Sequence, residues 1–511
     1  MLTLIVAFLC HLVSSSIVQD SPLAPWISIL LYVFYNRTSS NKISSFILIN
    51  ISNVLVMVFQ NKFLTLFNAM AKPKRFVFPL KYLLIISVTN SLIFSISFVL
   101  DNLSMKYLPN IWFKHMVFPS IFTILSFKTI PFGVWSFLPY TQFNNKPFIQ
   151  ILSLFGMSGL MFYISCFCSM ISSFFERVFS VGIQGLLEND MKMMLIMFST
   201  YIIIYLYGSF RLTFYNPMKM GPNIRTVSIA YAGEYSFSIL GLKDFDNESI
   251  NKYKELIKKE GLETLEKLFE IIRRESLNGG KIFMGSEAVI KVLIEDEDEY
   301  VNKIQQLAKE IQCTCIMMPM MVVHLEKYIK REPYLDNKLW IVDQNKVVST
   351  QKVKSVPSVD TNIKIPGDGV INVFSTSTDD IHTRIAGVIC YDADFPSIVR
   401  KAASADIILV PGSDPDHTIY HTYYAACRAI EQGSNLIRST IHGLSLAVSC
   451  TGDILNRLEY SACKQQDLIM VTSLPSKGIK NTLYSLIGDI CIPFSVINLI
   501  IATILTFSKS K

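Results

Sequence analysis

A glutamate, a lysine and a cysteine each stand just past a short apolar run in the second half of a 511-residue chain. Glu287 closes "KIFMGSE", Lys352 lies in "VVSTQKVKSVPSVD", and Cys390 closes "RIAGVIC". Singly, each has an ordinary explanation: a helix-cap neighbour, a solvated lysine, and a buried thiol at a strand end, which is the usual fate of a free cysteine. Together they supply what acyl transfer through a thioester needs. The carboxylate takes the thiol proton, and the ammonium lowers the thiol pKa and stabilises the tetrahedral oxyanion. No glycine-rich phosphate loop or serine nucleophile elbow competes with this set.

The elements that must position these groups are legible around them. Short β-branched runs recur at "TVSIAYA", "KIFMGSE", "CTCIMMPMMV", "KLWIVDQ", "RIAGVICYD", "ADIILVPG", "NLIRSTI" and "LSLAVSC". Between them, "ESINKYKELIKKEGLETLEKLFEIIRRES" and "DEYVNKIQQLAKEIQ" carry a 3.6-residue period, with Lys and Glu on their outer faces. Near-continuous apolar strands predict sheets covered on both sides. The expectation is an α/β domain over 225–480, with functional groups at the carboxyl ends of strands.

The rest of the chain has a different solvent. Hydrophobic residues make up 51% of the sequence, charged residues 17%, and mean hydropathy is +0.39. That is too apolar for a wholly soluble protein of this length. Stretches 1–19, 43–61, 82–100, 147–175, 193–210 and 490–508 carry no Asp, Glu, Lys or Arg. Each is long enough to cross a ~30 Å hydrocarbon core as a helix. Shorter runs at 21–36 and 115–138 bring the expectation to seven spans in an N-terminal bundle (1–210) and one C-terminal span (489–508). Only five acidic residues precede position 211. The first stretch could instead be a signal peptide, although "MLTLIVAFLC" lacks a positive n-region. Basic residues divide almost evenly between the two sides, so they do not orient the bundle. The expected location is an integral, multi-pass membrane protein. A net charge of +7 gives no support for a nucleic-acid partner. The ten cysteines form no CxxC pair and the seven histidines are scattered, which gives little support to a metal site; no cofactor motif is present.

The soluble domain resembles the carbon–nitrogen hydrolase (nitrilase) superfamily, an αββα sandwich whose catalytic set is Glu–Lys–Cys in that order. "QKVKSVPSVD" is similar to its lysine segment and "ICYD" to its Ile-Cys-Tyr-Glu. The resemblance gives the base role to Glu287, the oxyanion role to Lys352 and the nucleophile role to Cys390, with Asp360, Tyr391 and Asp392 as supporting residues. "HTYYAACRAIEQGSNLIRSTIHGLS" (421–445), "YTQFNNKPFIQILSLFGMSGLMFYI" and the layout of seven spans, domain and last span resemble the apolipoprotein N-acyltransferase family. That implies a phospholipid acyl donor, a Cys390 thioester, and an amine or lipoprotein N-terminal acceptor at the membrane. The sequence departs from the family pattern: Asp360 and Asp392 stand for glutamates, Lys354 for a histidine, and "GEYSFSILGLKDFDNES" holds no Trp. The loop after "PGSDPD" is also short. Two other readings use the same residues: a membrane-tethered amidase on a small C–N substrate, and a non-catalytic scaffold. Asn247 in "DNES" is a glycosylation sequon that matters only if the domain faces a secretory lumen.

Overall fold

The protein, seen as a computed structural model, is described over residues 2–16, 21–71, 80–128, 138–186, 188–231, 247–356, 360, 362–378, 380–414, 419–459 and 467–508. Two compact units divide it: Met1–Phe214 with Leu486–Lys511, and Tyr215–Ser485. Most of "GEYSFSILGLKDFDNES" and the residues just after Asp414 lie outside the described residues, as does the side chain of Asn247.

The first unit is helical. Five of its helices are long and apolar enough to cross a membrane: Lys42–Phe59, Ser87–Tyr107, Leu152–Val181, Glu188–Phe214 and Cys491–Ser508. Helices also form at the other three expected positions, as Leu2–Ser16, Ala24–Thr38 and Ile111–Lys128, but none of them combines that length with that hydropathy. Among the described residues, five of the eight expected spans thus meet both criteria. Helix Leu152–Val181 breaks its dihedral pattern at Gly156, where φ is 63°. Inside this unit Arg37 is fully satisfied. It pairs with both oxygens of Asp101 at 2.7 and 2.8 Å and donates to Ser169 and Ser173 at 2.7 Å. A buried charge persists only when paired and hydrogen-bonded in this way.

Among the described residues, the second unit holds two mixed sheets built from thirteen strands. The first contains β1 (Asn223–Tyr231), β2 (Ile282–Gly285), β3 (Ile290–Leu293), β4 (Cys315–Val323), β5 (Leu335–Val342), β6 (Val347–Gln351) and β13 (Asp467–Pro475). Its order is β13-β1-β2-β4-β5-β6, with β3 also paired to β4. The second contains β7 (Val373–Thr378), β8 (Ile381–Gly387), β9 (Ile407–Ser413), β10 (Asn435–Ile441), β11 (Leu444–Val448) and β12 (Ile454–Glu459), ordered β12-β11-β10-β9-β8-β7. Each sheet has parallel pairs at its centre, β1–β2–β4 and β8–β9–β10, with antiparallel strands outside them.

Side-chain alternation explains the layering. On β4, Ile316, Met318 and Met320 join one core cluster, while Cys315 and Met317 join another. The first cluster seats helices Asn247–Leu277 and Glu297–Ile311 through Leu265, Leu268, Phe269, Ile304 and Leu307. The second lies between the sheets, with Leu339 and Ile341 meeting Ile385, Ile407 and Leu409. Helix Ile419–Gln432 covers the far face of the second sheet against β10 and β11. The sheets approach closely at Gly387, where a Cβ would sit 2.1 Å from Leu339 Cδ2.

Candidate active site

Each of the three expected residues follows the end of a strand, and the packing of the two sheets brings them together. Glu287 stands two residues past β2, Lys352 one past β6, and Cys390 three past β8. All three are buried, with 4–5% exposure. Glu287 and Lys352 come from one sheet and Cys390 from the other. The Glu287 amide crosses between them, donating to the Gly412 carbonyl on β9 at 3.3 Å.

Cys390 opens the 3-10 turn Cys390–Asp394 with φ +46°, in the left-handed region. For a residue with a Cβ this costs on the order of 1–3 kcal/mol. The turn ends the strand abruptly and sets the thiol beside Glu287, while Cys390 still packs with the inter-sheet cluster. Glu287 is hydrogen-bonded to the Cys390 side chain and accepts from Lys352 Nζ at 2.9 Å and Asn337 Nδ2 at 2.7 Å. Lys352 Nζ also lies 3.3 Å from Asp360 Oδ2. Asp360 accepts from the Val356 amide at 3.1 Å and pairs with Lys364 at 3.0 Å. Lys364 reaches Glu287 at 4.0 Å. The site thus holds two ammonium groups against two carboxylates.

These contacts set the protonation states. Burial pushes the Glu287 carboxyl up, but Lys352, Lys364 and the hydrogen bonds from Cys390 and Lys352 bring it down to about 2. Burial pushes Lys352 down; Glu287, Cys390 and Asp360 hold it well above an ordinary lysine. Burial and Glu287 raise the Cys390 thiol more than Lys352 and Arg438 lower it. The sequence led us to expect an ammonium that lowers the thiol pKa; here burial and the adjoining carboxylate outweigh it. The resting site is carboxylate, ammonium and neutral thiol.

The supporting residues have distinct positions. Asp392 accepts from the amides of Val353 at 2.9 Å and Lys354 at 2.7 Å, tying the chain after Lys352 to the turn that carries Cys390. Burial raises its carboxyl to about 6 despite those two donors. Tyr391 packs edge-on to Phe395, 5.3 Å between ring centroids, and its buried hydroxyl has no hydrogen-bond partner among the described residues. The Lys354 ammonium sits over the Phe395 ring at 5.0 Å.

No protein-family model and no curated protein sequence matches the chain. Among solved structures it is similar to a glutamine-dependent NAD(+) synthetase from Cytophaga hutchinsonii (TM-score 0.33, 11% identity, 49% of this chain and 43% of that one). A glutamine-dependent NAD+ synthetase from Acinetobacter baumannii, in complex with adenosine diphosphate, is similar at TM-score 0.33 and 12% identity, over 51% of this chain and 49% of the other. An N-terminal amidase is similar at TM-score 0.26 and 11% identity, over 41% and 54%. This chain spans about half the length of each.

The sequence left several residues of the site without a role. Asn337 and Lys364 complete the carboxylate shell, and their signal was polarity inside an apolar strand and i,i+4 spacing from Asp360. A second buried cluster also adjoins Cys390. His421 lies 2.7 Å from Asp414 and 2.9 Å from Asp394, and Arg438 lies 3.1 Å from Asp414. A ring nitrogen of His421, an Asp414 oxygen and Cys390 Sγ all lie within 4.8 Å of one another. Scattered histidines in the sequence hid this grouping of potential metal ligands, because three different elements deliver its members.

Proposed function

We propose that the chain is a multi-pass membrane N-acyltransferase. It would move a fatty acyl chain from a phospholipid, through a thioester on Cys390, to an amine. The single observation that supports this most is the buried contact set of Cys390, Glu287, Lys352 and Asp360, carried on a chain with five apolar helices of membrane-crossing length. The acceptor in the resembled family, the α-amine of a lipoprotein N-terminal cysteine, is carried over as part of the proposal.

The protonation states constrain the first half-reaction. A thiolate is not formed in advance, so Glu287 takes the thiol proton as the S–C bond to the ester carbonyl forms. Lys352 faces the oxyanion that develops. As the C–O bond breaks, Glu287 returns the proton to the alkoxide and a lysophospholipid leaves. In the second half-reaction an amine nitrogen attacks the thioester, and Glu287 carries the proton to the departing sulfur. Limiting water favours amide formation over hydrolysis.

Intact-protein mass spectrometry after incubation in phospholipid vesicles tests this. The wild type gains one acyl mass and Cys390→Ala gains none. Turnover of a small amide without any phospholipid-derived adduct would favour the membrane-tethered amidase instead.

A further inference from the structure

The helical unit carries a charged pocket that the acyl-transfer reading does not use. Lys42 opens the helix Lys42–Phe59, and Lys106 stands one residue before the end of Ser87–Tyr107. Both line one pocket, so the two helices run antiparallel with their lysines at the same end. Asn36 and Arg37 from Ala24–Thr38, Asn102, and Glu176 from Leu152–Val181 line it too, around about 470 Å³. Its wall is fastened by side-chain amides: Asn102 Nδ2 donates to Asn36 Oδ1 at 3.0 Å, and Asn36 Nδ2 to the Phe98 carbonyl at 3.0 Å. Further along the same two helices, Ser91 Oγ donates to Asn50 Oδ1 at 2.9 Å. Beside that bond lies a groove of about 320 Å³, with Ile51, Val54 and Leu55 on one helix and Val88 and Leu92 on the other. Ile51, Leu55, Val88 and Leu92 are exposed.

The charges around the pocket differ in what they already hold. Arg37 is occupied by Asp101, Ser169 and Ser173. Lys42 Nζ donates to the carbonyls of Asn36 and Arg37 at 2.8 Å each, which leaves it one hydrogen. The Lys106 ammonium sits 4.9 Å from the Tyr107 ring centroid. Arg177, next to Glu176, is paired with Asp190 at 2.9 Å. Lys42, Lys106 and Glu176 have no ion-pair partner among the described residues. Two cations and one carboxylate thus share a space at a helix end, where long side chains reach headgroup depth in a bilayer.

A charged pocket at the helix end and an apolar groove along the same helix pair match a phospholipid, with its head in the one and an acyl chain along the other. A purely anionic head would satisfy the lysines but set its phosphate against Glu176. A head with a phosphate and a primary ammonium satisfies all three groups: the phosphate accepts from Lys42 and Lys106, and the ammonium donates to Glu176. A choline head has the same net charge but offers no N–H. We infer that this pocket and groove hold one phospholipid with a primary-ammonium head, bound at the seam of the two helices and not consumed. The site goes beyond the acyl-transfer reading and rests only on the membrane-crossing reading of these helices.

Native mass spectrometry of the full chain in detergent micelles tests this. It counts noncovalent adducts that collisional activation releases, which sets any thioester apart. Phosphatidylethanolamine and phosphatidylcholine with identical chains are titrated separately. The wild type should bind phosphatidylethanolamine ~10-fold more tightly, the scale of one hydrogen bond between charged groups. Glu176→Gln should remove that preference. Lys106→Gln should weaken both lipids, and Leu92→Trp, which fills the groove, should weaken both while keeping the preference. Equal affinities in the wild type, or a preference that survives Glu176→Gln, overturn the inference. Tighter binding of phosphatidylglycerol also overturns it, as a site for anionic heads. Full competition by soluble phosphoethanolamine does the same, as a site for a free phosphoester. Lys106 and Leu92 are exposed, so their variants carry the test if Glu176→Gln does not fold, and unchanged affinity in both overturns it. A full chain that does not float with vesicles would remove the membrane reading and this site together, whereas equal affinities leave that reading standing.

Discussion

Asp360 Oδ2 lies 3.3 Å from Lys352 Nζ, although its side chain is one methylene shorter than the glutamate of the resembled family. The backbone supplies the missing reach: the Val356 amide fixes Asp360 Oδ2 at 3.1 Å, and the Asp360 amide donates to the Val356 carbonyl at 2.9 Å. Asp360→Asn should therefore slow Cys390 acylation, because a neutral amide holds the ammonium less firmly. Asp360→Glu should retain most activity. Single-turnover thioester formation distinguishes the two, and equal rates in the wild type and Asp360→Asn would make the position structural.

Lys352→Ala should remove one oxyanion donor and cost ~10²–10³ in acylation rate. It should also lower stability, because Glu287 and Asp360 remain buried and lose one of the two lysines paired with them. Breaking such a pair costs about 3–5 kcal/mol. Glu287→Gln should remove most acylation as well, and the double variant should lose far less than the product of the single losses. Thermal unfolding and single-turnover rates, measured on all four proteins, check both parts.

Cys390→Ala should abolish the acyl adduct. Cys427 and Cys450 are fully buried, so Cys427→Ala and Cys450→Ala should cost stability through small cavities and keep most acylation. Mass spectrometry of the three variants decides. Loss of the adduct in Cys427→Ala or Cys450→Ala would relocate the nucleophile.

Asp392 should make acylation sensitive to mild acid. Its carboxyl, raised to about 6, accepts the two amides that follow Lys352. Protonation weakens that clamp, so the rate should fall by roughly 10-fold as pH drops through about 6. Asp392→Asn should lack this limb. Linkage gives the stability sign: the raised carboxyl favours folding fully below its unfolded value near 3.9, and this contribution is lost as pH rises through about 6. Glu287, lowered to about 2, contributes above its unfolded value near 4.3, and that contribution is lost as pH falls toward 2. A pH–rate profile with thermal unfolding at each pH separates the two groups.

Gly387→Ala should destabilise the α/β unit by ~1–3 kcal/mol, the range for overpacking a tight core. Its new Cβ would meet Leu339 across the sheets. Leu339→Ala in the same chain should recover part of the loss, which denaturant unfolding of both variants measures.

The sequence carried the strands well because apolar, β-branched runs bounded by polar breaks leave little alternative. All eight quoted runs contribute to strands. Less legible were β3, β7, β12 and β13: β7 reads "VFSTST" and β12 "ILNRLE", sequences whose pairing depends on neighbours far along the chain. At the site, residue type and order pointed to Glu287, Lys352 and Cys390. Protonation was not legible, because it depends on burial and on Lys364 and Arg438, which arrive from separate segments. The His421 cluster stayed hidden for the same reason. Helix ends in the bundle were also hard to read, because an apolar run does not mark them: the run beginning at 115 belongs to a helix that starts at Ile111.

The base and the nucleophile belong to different sheets, separated by 103 positions between Glu287 and Cys390. A chain emerging from synthesis has its glutamate and lysine before its cysteine, and none is reactive alone. The thiol meets Glu287 only where the two sheets pack together, and β13, an edge of the first sheet, follows both residues in the chain. Under the proposed acyl transfer, a partly folded copy surrounded by esters would lack the paired thiol and carboxylate and remain inert.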